Sequence, residues 1–111
     1  MATTFHFQRT QVYLAARAVA VIVHKANIRD SELRDQATRA AKSCFLNVSE
    51  GLPSKMSAVR RRHFAIALGS LGEASAALDL AEELGAVDAD ARRDDAIART
   101  AALVGGLVRA E

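Results

Sequence analysis

A single proline, Pro53, interrupts a chain of 111 residues, and only six glycines accompany it. Proline and glycine are the strongest helix breakers, and alanine is the strongest helix former. Half of the residues are apolar, and 24 of the 111 are alanine. A chain so poor in breakers and so rich in alanine is helical nearly throughout. This excludes a β-sandwich, a collagenous repeat and a disordered tail. The length fits one domain.

The remaining breaks divide the chain into four helices, predicted at about 10–26, 32–50, 57–84 and 89–109. In the first, Val12, Ala16, Val19 and Val23 recur at helical spacing, while Tyr13, Leu14, Ala18, Val21 and Ile22 put grease on other faces. Such a helix is buried on several sides. Asn27 suits a left-handed helix end, and Asp30 or Ser31 suits the next N-cap. Leu33, Ala37, Ala40, Cys44 and Val48 form the second stripe. Gly51 is expected to close that helix at positive φ, ahead of the turn signal Leu52-Pro53-Ser54-Lys55.

The third helix carries two stripes. Phe64, Leu68, Leu71, Ser75 and Leu78 lie on one side, and Ile66, Ala77, Leu80 and Leu84 lie roughly opposite. Gly69, Ser70 and Gly72 keep its middle slim enough for another backbone to approach. Gly85 stops it, and Asp88 or Asp90 caps the fourth helix. There Ile97, Ala101, Val104 and Val108 make a stripe, and Gly105-Gly106 predicts fraying. Four helices with short connections predict an all-α, antiparallel up-down-up-down four-helix bundle. So small a bundle cannot cover every apolar face of its first and third helices. Large uncovered patches imply a partner, and a homo-oligomer is the commonest solution.

Cys44 is the lone cysteine, which points to a reducing, cytoplasmic setting. The apolar run Val12–Val23 is shorter than the ~20 residues that cross a bilayer, so no membrane role is expected. Charge is unevenly spread. Residues 1–63 hold 11 Lys/Arg against 4 Asp/Glu, and residues 64–111 hold 4 against 9. The basic half suits an acidic partner, or the acidic surface of a neighbouring copy.

Arg39, Lys42, Lys55, Arg60, Arg61 and Arg62 are candidate nucleic-acid contacts. Cations near a helix N-terminus oppose its dipole, so their placement in the third helix hints at phosphate. The blander reading is a solvated face, or intersubunit pairing with Glu82, Glu83, Asp94 or Asp95. Few aromatic residues accompany the cluster, so contact with an RNA or DNA backbone is the expectation, without base reading. Asn47 and Glu50 share a helix face, with Arg39 two turns earlier. With Ser70 and Glu73 these five form a candidate polar network or oligomer contact that fixes helix register. His6, His24 and His63 show no metal-ligand spacing, and no phosphate-binding loop exists. Neither a metal nor a cofactor is expected, and nothing suggests catalysis. Two functions stay open: a scaffold that binds nucleic acid, and a module that binds another protein.

Asp35-Gln36, Arg39-Ala40-Ala41, Ser43, Asn47 and Ser49-Glu50-Gly51 resemble the second helix of a known family. Ser54, Phe64, Ile66-Ala67-Leu68-Gly69-Ser70-Leu71, Glu73 and Leu84-Gly85 resemble its third. The family is the four-helix-bundle proteins of intervening sequences within large-subunit ribosomal RNA genes. The resemblance implies a homopentamer around a central channel, with no established enzyme activity. A distant relative, the accessory protein of diversity-generating retroelements, is similar in fold and pentameric form, and binds nucleic acid and a reverse transcriptase.

Overall fold

The computed structural model describes residues 5–111. Thr10 joins the first two elements. Its hydroxyl oxygen accepts from the Tyr13 amide at 3.3 Å, and the hydroxyl donates to the Phe7 carbonyl at 2.7 Å. One side chain thus ends a short 3-10 turn, His6–Arg9, and opens α1, Gln11–Lys25. Asp30 opens α2, Ser31–Gly51, by accepting from the Leu33 amide at 2.9 Å. Asp90 opens α4, Ala91–Ala110, by accepting from the amides of Arg92 and Arg93. Each cap satisfies donors that the first turn leaves without partners. Only α3, Ser57–Glu83, starts without a side-chain cap.

The helices form a bundle in which α1 packs on α2 and α4, and α3 packs on α2 and α4. Their direction follows from cross-links between side chains. Ser43 bonds Ser70 and Asn47 bonds His63, so numbers rise along α2 as they fall along α3. At one end the Arg29 amide donates to the Ala86 carbonyl at 2.7 Å, which ties the α1–α2 and α3–α4 connections together. At the other, Arg60 near the start of α3 meets Glu111 at the end of α4. The bundle is all-α and antiparallel.

The stripes that periodicity assigned to the core are buried on α1 and α2: Val12, Ala16, Val19 and Val23, then Leu33, Ala37, Ala40, Cys44 and Val48. On α3 Phe64, Leu71 and Leu78 turn inward with Leu68 partly covered, but Ser75 of that stripe is exposed, and Ala77, assigned to the opposite stripe, is buried because it faces α2. On α4 only Val104 of the expected four is fully covered, with Ile97, Ala101 and Val108 partly so. Ile28 and Val87, from the two connections, plug one end of the core. By length and composition alone α3 could cross a membrane. In the fold, eight of its residues are buried in the bundle.

Three local expectations need correction. Asn27 does not turn left-handed, because no non-glycine residue among those described has positive φ. Instead α1 ends in extended Ala26, and the chain dives inward to bury Ile28. Gly51 does not turn either. It remains the last residue of α2, buried, and a Cβ placed there would lie 2.7 Å from Cε1 of Phe64. Glycine is required for room, not for φ. The left-handed turn occurs at Gly85, with φ 71°. There the Ala86 amide reaches the Ala81 carbonyl and the Gly85 amide reaches that of Glu82, the paired bonds of a Schellman stop. Gly105 and Gly106 do not end α4, which runs on to Ala110 with the Arg109 guanidinium close to Gly105.

Candidate functional site

The α2–α3 seam holds a chain of polar side chains. The Ser43 and Ser70 hydroxyls share a hydrogen bond of 2.9 Å. Asn47 Nδ2 donates to the Ser43 carbonyl at 2.9 Å and lies 3.4 Å from its hydroxyl. That leaves Asn47 Oδ1 as an acceptor, 3.0 Å from His63 Nδ1. An acceptor there requires the proton on Nδ1. Glu50 Oε2 approaches the same nitrogen at 3.4 Å. The order across the seam is therefore Ser70, Ser43, Asn47, His63, Glu50.

Three of the five expected network residues, Asn47, Glu50 and Ser70, meet here. Arg39 and Glu73 do not join the seam. Both are exposed and line a cleft of about 660 Å³ between α2 and α3. No ion pair joins them among the described residues. Sequence reasoning missed Ser43 and His63. Ser43 was legible, since it lies one turn before Asn47 on the same face. His63 was hidden by the three arginines before it. The two seam hydroxyls bond each other rather than the His63 ring. The seam fixes register: sliding α3 by a turn would strand four polar groups in a half-buried strip.

The six basic candidates separate. Arg60 turns inward. It pairs with Glu111, donates to the carbonyls of Leu52 at 2.8 Å and Ser54 at 3.2 Å, and lies over the Phe64 ring at 5.3 Å. It fastens the α2–α3 turn to the end of α4 and has little left to offer a phosphate. Arg60 and Ser57 together hold the Glu111 carboxyl below its ordinary range. Lys55, Arg61 and Arg62 stay exposed at this end. Arg39 and Lys42 lie elsewhere, lining a shallow groove with His24 and Arg34 between α1 and α2.

Of the four acidic residues expected to pair between subunits, Glu82 is engaged within its own chain. Glu82 Oε1 accepts from Arg93 at 2.9 Å, and Arg93 also reaches the Asp88 carbonyl at 2.9 Å. Arg93 is only 3% exposed, and its Nε lacks a partner. In sequence it reads as one more solvated cation beside Arg92, so only the tertiary fold could place it. Cys44 is buried among alanines, and burial pushes its thiol up to about 11. It stays protonated at neutral pH and is no nucleophile.

The surface also carries uncovered grease. Leu14 and Val21 on α1, Leu46 on α2, and Ile66, Leu80 and Leu84 around α3 are all exposed. No curated protein matches the chain significantly. The family model for the 23S rRNA-intervening sequence protein matches residues 8–101, which take in all of α1, α2 and α3 and half of α4. The chain belongs to the 23S rRNA-intervening sequence protein family.

Proposed function

We propose that this protein is a non-enzymatic, homo-oligomeric scaffold, a pentamer, whose exposed basic side chains hold a nucleic-acid backbone. The observation that carries the assembly is the second apolar stripe of α3. Ile66 and Leu80 are 42% and 49% exposed on a helix whose other side already fills the core. Covering the half of each side chain that stays wet would contribute about 0.7–1.5 kcal/mol apiece on assembly. Arg39, Lys42, Lys55, Arg61 and Arg62 are the residues for phosphate, since each is exposed. Arg60 is omitted because its donors are engaged within the chain. The seam's role is structural, holding α2 and α3 in the register that presents these surfaces.

The test is the native mass of the purified protein, with and without nuclease, followed by titration with RNA and DNA at rising salt. The expected result is a five-subunit mass and binding that weakens steeply with salt. A monomer at high concentration overturns the assembly. Binding that is absent at low salt, or unchanged at high salt, overturns the nucleic-acid role.

A further inference from the structure

We propose that α1 of one copy seats in the α2–α3 cleft of the next, with Arg17 against Glu73. This rests on the assembly proposed above and adds which surfaces meet. The two apolar patches differ in shape and lie on different helices. On α1, Leu14 and Val21 stand seven residues apart on an outer rib, with Arg17 and Ala18 between them. Across the bundle surface, the cleft is floored by small residues, Ala40, Ser43, Ser70 and Ala77, with exposed Ala76 at its edge. Leu80 lines the cleft's α3 side seven residues beyond Glu73, and exposed Ile66 stands seven residues before Glu73 on the same helix. Gly69, between Ile66 and Glu73, is open: a Cβ there would meet nothing within 4 Å. A convex rib and a small-floored cleft are complementary. A cleft pairing with its own copy would leave Leu14 and Val21 bare, whereas rib into cleft covers both patches with one contact. Contacts of this head-to-tail kind close into a ring where the rotation between copies divides the circle.

Charge sets the register. The residues of α1 include no Asp or Glu, and Arg17, His24 and Lys25 are all exposed. Glu73 forms no ion pair in the protomer. With the two helices parallel, setting Arg17 on Glu73 places Leu14 near the open Gly69 and Val21 near Ala77, both within the span from Ile66 to Leu80. Glu73 then lies between two guanidiniums, that of Arg39 in its own chain and that of Arg17 in the neighbour.

Cysteine pairing tests the geometry, with native Cys44 silent because it is buried. Full-length Ala18→Cys and Ala76→Cys proteins are mixed and oxidised. The expected result is a disulfide-linked heterodimer from the mixture, none from either protein alone, and a ladder beyond dimer when one chain carries both changes. Homodimers from Ala76→Cys alone indicate cleft-to-cleft packing and overturn the proposal. An oligomeric native mass with no cross-link from the mixture also overturns it, while leaving assembly intact. A monomeric wild-type chain overturns both. As a second arm, Arg17→Glu is expected to raise the dissociation concentration about tenfold, and Arg17→Glu with Glu73→Arg to restore it. A double variant no tighter than the single overturns the pairing of these two residues.

Discussion

The two faces of α3 are both apolar, yet they meet opposite fates. On the inner face Phe64, Ala67, Leu71, Ala74, Leu78 and Ala81 are each no more than 4% exposed. On the outer face Ile66 and Leu80 leave nearly half of their surface in water. The difference lies in what is interleaved. No charge interrupts the inner stripe, whereas Arg62, Glu73 and Glu83 punctuate the outer one. Apolar periodicity alone marks both as candidates for burial. The interruptions separate a face that must be dry from one that is wet in the protomer and covered on assembly.

Substitutions can break or sharpen that contrast. The largest effect is expected from Phe64→Ala on the inner face, a loss of about 3–5 kcal/mol in urea unfolding. A loss below ~1 kcal/mol would mean that the ring does not anchor the core. Next comes Gly51→Ala, which crowds the same ring from the α2 side and should cost about 1–3 kcal/mol. Replacing Ile66 and Leu80 together by serine on the outer face should leave the protomer within ~0.5 kcal/mol of the parent per site. The same change should lower the native mass toward that of a monomer. A variant that unfolds instead would show the outer face to be core. The smallest effect belongs to Cys44. Its thiol titrates near 11 when folded against an ordinary 9.0. Stability from this group is therefore full below pH 9 and fades as pH climbs toward 11. Cys44→Ala should flatten that alkaline slope in urea melts taken between pH 8 and 11.

Much of this was legible in the sequence. The helices follow from breaker scarcity and apolar spacing, and the caps Asp30 and Asp90 were each one of two readings. Two glycines show where local rules mislead. Gly51 precedes a Leu-Pro turn and looks like a left-handed stop, yet its role is set by Phe64, thirteen residues away in sequence. Gly105-Gly106 looks weak, yet packing of Gly105 and the capped start of α4 carry the helix through. The site was half legible. Asn47, Glu50 and Ser70 share the seam as expected, but Arg39 and Glu73 sit too far outward to join it. Arg60 was read with its two neighbours as a surface cation, because a run of like residues does not say which one will turn inward. Steps of ~100° along a helix send consecutive residues to different surroundings, and the carboxylate that captures Arg60 comes from the far end of the chain.

The slot that Gly51 opens for the Phe64 ring has a consequence for how the molecule breathes. Ring in slot and seam fall on the α2–α3 hairpin, whereas α4 has only Val104 of its apolar stripe fully covered and is otherwise tied to α3 by the Arg60–Glu111 and Arg93–Glu82 pairs near its two ends. Local opening begins where fewest groups are locked together. Amide deuterium uptake should therefore run earliest through α4 and latest along the facing turns that contain Val48 and Phe64, making the hairpin the kernel around which the outer helices reversibly detach.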